Sequence, residues 1–194
     1  MEPTAPGGDN PRMETDARST PGREALVAAL RRRGVGYLAP SDATEDRPLG
    51  DLDLVEGLAR HGEARLRQAL IPLFLLHPHL ASLVRGCGSR LEPPARVELQ
   101  AHYMAAVYLQ RMWSARLRRY LGALPELPDH FSTELGLPTP EDEWGKAGLH
   151  ALADWHATAS GRRANRLSEY EGTAELLFGD LKHGRREGES TRAG

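Results

Sequence analysis

The chain has 194 residues, with 25 Lys and Arg against 27 Asp and Glu, and a formal net charge of -2. No overall field therefore draws it to nucleic acid or to an anionic membrane. A 40% hydrophobic share together with 20 Gly excludes a wholly disordered or fibrous chain and suits one globular domain with a real core. The single cysteine, Cys87, excludes an internal disulfide framework and a Cys-rich zinc site, and fits a reducing compartment.

Met1 to Thr20 has no apolar stretch of signal-peptide length and carries Pro, Gly and charges instead. The longest apolar run, Ala69 to Leu76, holds Pro72 and falls far short of the roughly 20 residues of a membrane span. The expectation is a soluble, cytoplasmic protein with no membrane contact. Residues 1–20 and 183–194 lack periodicity and read as disordered tails, because they offer too little to bury to offset ordering entropy. Residues 21–182 read as one folded domain.

Thr20-Pro21 reads as a helix start, followed by Leu26, Val27 and Leu30 at helical spacing and Gly34 as a stop. Residues 34–50, with scattered Gly, Pro and charges, form a connector. Leu54 and Leu58 predict a helix over about 52–60, and Leu66, Leu70, Leu73 and Phe74 a second over about 63–76, kinked at Pro72. His77-Pro78-His79 ends that segment, and a short helix near 79–85 stops at Gly86-Cys87-Gly88. Ala95 to Leu121, free of Gly and Pro and apolar on two stripes, predicts one long unbroken central helix. The Pro-rich stretch 122–140 allows at most a short helix near 128–135. Thr139-Pro140-Glu141-Asp142 reads as a cap opening a helix to about Ala159, with Trp144, Leu152 and Trp155 inward and Gly145 and Gly148 weakening its start. Leu167, Tyr170, Ala174, Leu177, Phe178 and Leu181 give the last amphipathic helix. With no alternating β-branched run, the fold class is all-α, a helical bundle of about five to seven helices.

Four groups of residues bear on chemistry. Asp51 and Asp53 stand two apart, as in the metal-holding pair of nucleotidyltransferases, but that geometry needs a strand. The helical stripe after them favours a helix cap. Arg96 and His102 are candidate catalytic residues, an Arg to stabilise a phosphorane-like transition state and a His to move a proton. The competing reading leaves Arg96 exposed and pairs His102 with Glu98 one turn earlier. The histidines His77, His79, His102, His150 and His156 lack the Glu-x-x-His repeats of di-iron bundles and the thiolates of zinc sites, so no metal or other cofactor is expected. His150 reads as a surface partner of Asp154 one turn on. Finally, five Arg between Arg96 and Tyr120 precede an acidic stretch, 122–143, with no Lys or Arg. The favoured reading folds the acidic loop back over the basic helix end, and the other is a basic face for RNA or an acidic partner.

The Arg-x5-His spacing of Arg96 and His102 resembles that of HEPN domains, helical bundles that often dimerise and cleave RNA. That resemblance implies a dimeric ribonuclease using Arg96 and His102. DLDLVEGLARHGEARLRQALIPLFLLHPHLA and HYMAAVYLQRMW resemble small, largely uncharacterised all-helical bacterial proteins encoded beside a nucleotidyltransferase-fold protein. This likeness spans about 51–138 and implies an accessory role in a toxin–antitoxin-like or defence pair. The leading expectation is a non-catalytic helical interaction protein, using an apolar helix face rimmed by Arg to bind a partner protein or a further copy of itself. RNA is the less favoured partner.

Overall fold

In the computed structural model, residues 21–38, 48–162 and 165–192 are described, with side chains to 183. The expected tail 1–20, Thr20 of the first helix start and most of the connector lie outside the described residues. The elements are α1 (Arg23–Arg32), α2 (Asp51–Arg60), α3 (Ala64–Gln68), α4 (Leu70–Leu76), α5 (Ala81–Arg90), α6 (Pro93–Met112), α7 (Ser114–Leu121), α8 (Ser132–Leu135), α9 (Lys146–Ala159) and α10 (Arg166–Arg192), with 3-10 turns at Pro78–Leu80 and Asp142–Gly145. Among the described residues there is no strand, and the fold is an all-α bundle.

Helix α6 is its axis. Pro93 and Pro94 occupy the first turn, where a missing N–H costs nothing. Every residue from Leu99 to Gln110 is buried, because α2, α4, α5, α9 and α10 surround the helix on all sides. From Leu99 to Leu109 both apolar stripes read from the sequence are consumed in this core, with Met112 and Trp113 packed on its edge.

Three breaks divide the chain more finely than its pattern indicates. The segment expected over 63–76 parts at Ala69, three residues before Pro72. The proline ring excludes the carbonyl four residues back and has no N–H to give it, so α3 closes with Ala69 N–H on Arg65 O and α4 opens with Leu73 N–H on Ala69 O. The long rod is likewise not unbroken: Trp113, at φ -108° and ψ 17°, separates α6 from α7. The Trp113 ring there meets Phe178 of α10, with centroids 5.4 Å apart. Helix α10 continues past the expected boundary at 182, to Arg192.

The third departure is the start of α9. Thr139 N–H and Oγ1–H both reach Asp142 Oδ2 at 2.8 and 3.1 Å, but the expected helix cap does not form: Glu141 stands at the start of a 3-10 turn and makes no side-chain cap bond. Glu143 and Trp144 then turn left-handed (φ 47° and 57°), and α9 begins beyond Gly145 (φ 88°). A Cβ at Gly145 would stand 2.6 Å from the Tyr108 carbonyl oxygen, and one at Gly148 would overlap the Tyr108 ring. The two glycines let α9 press onto α6, a tertiary demand invisible to helix propensity. Trp144, expected inward, consequently lies outside, 80% exposed, while Leu152 is buried and Trp155 packs against the core from the rim.

Candidate functional site

The acidic pair sits at the first and third positions of α2, where both carboxylates face the positive end of the helix dipole. No side-chain cap bond forms, so the expected capping role is not met as such. Asp51 instead accepts from Arg33 Nε at 3.2 Å and Nη2 at 2.6 Å. Arg33 also donates to the carbonyls of Ala29 and Leu49, joining α1 to α2. On a helix, residues two apart diverge, and the converging pair needed for nucleotide transfer does not arise.

Arg96 and His102 share α6 but not a face. Arg96 is exposed and donates through Nη2 to Leu91 O at 3.1 Å. His102 is 2% exposed, and its Nδ1 bonds the Glu98 carbonyl at 2.7 Å. The i, i+4 pairing with Glu98 read from the sequence is present, the carboxylate lying 3.6 Å from Nδ1.

That pairing is one edge of a larger buried cluster. Glu98 Oε2 lies 3.1 Å from Arg67 Nε of α3 and 3.4 Å from His156 Nε2 of α9. His156 Nδ1 stands 2.6 Å from the Tyr170 hydroxyl of α10, with the two rings stacked. Neutral imidazole has one acceptor nitrogen, so the Tyr170 O–H donating to Nδ1 leaves Nε2–H turned to Glu98. Arg67 Nη1 donates to the carbonyls of His61 and Gly62 at 2.6 and 2.7 Å. Burial works against ionisation of Glu98, yet His156, His102 and Arg67 together hold its carboxyl down at about 2. Burial, helped by His156 and Arg67 and opposed by Glu98, lowers His102 to about 4. Burial also pushes the Tyr170 phenol up. At neutral pH the cluster therefore holds an ionised carboxylate, a guanidinium and a neutral His102, with no open position for a reacting molecule at His102.

Arg67 and Glu98 alone of this cluster reach a cleft of about 580 Å³, walled by Ala59, Pro93 and Val97, with Arg60 and Arg162 along it. Arg96 and His102 do not line it. Among the described residues no group of three or more His, Cys, Asp or Glu is arranged to hold a metal ion. No bond or ion pair among them joins His150 to Asp154, both of which are exposed.

Charge placement follows the internal reading at one arginine. Arg111 Nη2 lies 3.3 Å from Glu126 and 3.9 Å from Glu141, so the acidic stretch turns back onto α6. Arg116 instead pairs with Glu175 of α10 at 2.6 Å, its guanidinium 3.8 Å over the Phe178 ring. Arg118 and Arg119 are exposed.

The second candidate surface is the turn Glu141-Asp142-Glu143-Trp144, an exposed indole beside three exposed acids on backbone fixed from both sides. The bond from Thr139 N–H to Asp142 holds its start and the close approach of Gly145 to Tyr108 holds its end. The sequence contains the signal, a bulky apolar residue between an acidic run and a glycine, but helical patterning turns it inward. No family model, curated protein or solved structure matches the chain.

Proposed function

We propose that the protein is a non-catalytic helical interaction module that binds a partner protein through the acidic turn carrying Trp144. The observation that carries this reading is an 80% exposed tryptophan on left-handed backbone. A non-glycine residue there costs on the order of 1 kcal/mol, and a large apolar side chain left in water gains nothing in the isolated chain. Tryptophan is among the residues that dominate binding energy at protein contacts. The docking surface thus moves from the apolar faces of α6, which the core consumes, to a turn rimmed by acids rather than by Arg. The resemblance of 51–138 to accessory proteins of toxin–antitoxin-like or defence pairs supplies the partner class, a protein of nucleotidyltransferase fold.

Co-purification from cells expressing the chain with its neighbouring gene products tests the reading. A partner recovered in fixed ratio with the wild type and lost with Trp144→Gly supports it, and equal recovery with both variants overturns it. Glycine suits φ 57°, so this variant keeps the fold. The ribonuclease alternative loses its support where Arg96 and His102 face apart. RNA incubated with the wild type stays intact, and cleavage abolished by His102→Ala would reinstate that alternative.

A further inference from the structure

Beside the Trp144 turn the surface carries a pocket of about 210 Å³ between α6, α7 and the following loop. Gln110, Arg111, Ser114, Leu117, Arg118 and Leu124 line it, together with Glu126. Its floor is apolar at Leu117 and Leu124, its edge carries the exposed Arg118, and Arg119 follows in the same helix. Arg111 fixes the placement, because it lines the pocket and also stands 3.9 Å from Glu141 at the foot of the turn. An acidic knob and a basic-edged hole therefore lie side by side on one face. In its own chain the knob does not enter the hole, since the indole remains 80% exposed.

We infer that, when its other partner is absent, the turn is occupied by a second copy of this chain, Trp144 of each copy seating in the α6–α7 pocket of the other. The inference rests on the reading of Trp144 as a contact residue. A knob and a complementary hole adjacent on one face are what a two-fold contact requires, because the same patch must serve both sides. Charge points the same way: Glu141, Asp142 and Glu143 flank the indole, and Arg118 lines the pocket, where Arg111 and Glu126 pair with each other. Seating the ring removes its apolar surface from water, and the two charged rims set the register. Dimerisation occupies the surface offered to any other protein, so the two compete.

Sedimentation equilibrium of the purified full-length chain, from below micromolar to tens of micromolar, measures the association directly. The wild type is expected to form a dimer that weakens as salt rises. Trp144→Gly and Arg118→Glu should each raise the dissociation constant by about 30-fold, the loss of a central anchor or of its seat. Mixing the two variants is the discriminating arm. The mixed pair keeps one intact tryptophan opposite one intact pocket, whereas neither variant alone keeps any. The mixture should therefore associate more tightly than either component. A wild type that stays monomeric throughout, or a mixture no tighter than its components, overturns the inference. If the wild type is monomeric while Trp144→Gly still abolishes co-purification, only the self-pairing fails. If Trp144→Gly changes neither measurement, the contact role of the turn fails with it.

Discussion

Two glycines decide where a tryptophan goes. Gly148 gives α6 and α9 their close approach at Tyr108, and Gly145 supplies the positive φ at which the chain enters α9. Gly148→Ala would drive a methyl group into the Tyr108 ring within a packed core, and a side chain there has nowhere to move. We expect a loss of about 3 kcal/mol, read as a fall in the urea midpoint at unchanged slope. Gly172→Ala makes the opposite case: a helical glycine in α10, exposed, where an added Cβ would meet nothing within 4 Å. It should gain about 0.5–1 kcal/mol by restricting the unfolded chain. Equal effects at the two positions would show that helix propensity alone governs them. Gly145 and Gly148 read in the sequence as weak helix formers, which is correct locally. Their reason is Tyr108, nearly forty positions earlier, and no local pattern carries it.

At the scale of elements, Glu98 ties α6 to α3 and α9, and His156 passes the link to α10 through Tyr170. Only the Glu98–His102 edge was legible, because both residues lie on one helix a turn apart. Arg67, His156 and Tyr170 come from three other helices and join by tertiary packing. Removing the carboxylate's charge strands Arg67 in the interior, so Glu98→Gln should cost about 3–5 kcal/mol in equilibrium unfolding. The cluster also gives stability a definite pH dependence. His102 titrates near 6.5 when unfolded and only near 4 when folded, so the unfolded chain takes up the proton first. Its contribution is full above pH 6.5 and is lost as the pH falls to 4. Glu98 acts in the same direction lower down, full above 4.5 and lost towards 2. Urea midpoints measured between pH 6.5 and pH 4 should fall for the wild type and fall less steeply for His102→Gln, where His130, lowered by burial in the same direction, keeps part of the slope. An unchanged slope in the variant would place the titration elsewhere.

Across the whole molecule, α6 organises the chain that follows it as well as the helices around it. The stretch 122–140 carries Pro125, Pro128, Pro138 and Pro140, whose missing N–H groups confine its pairing with itself mainly to the turn around α8. Side chains of α6 serve the backbone on either side of that turn. Tyr103 O–H donates to Pro128 O at 2.6 Å, and Tyr108 O–H to Pro138 O at 2.7 Å. Gln110 serves two groups, donating to Pro125 O at 3.0 Å and accepting from the Leu127 N–H at 2.7 Å. The sequence pattern places both tyrosines on apolar stripes, which describes their rings and misses their hydroxyls. Gln110→Leu keeps the apolar bulk but leaves a buried N–H and a carbonyl without partners, at about 1–3 kcal/mol for each group left fully buried. Because the loop can lift into water, we expect the loss to appear locally. Leu127 amide exchange should speed up more than that of Ala105 or Leu152, which report the core. Acceleration by one common factor would mean that the loop and the bundle unfold together. Gln110 also lines the α6–α7 pocket, so the same substitution should weaken association by disturbing the seat, while leaving the indole and its acidic neighbours unaltered.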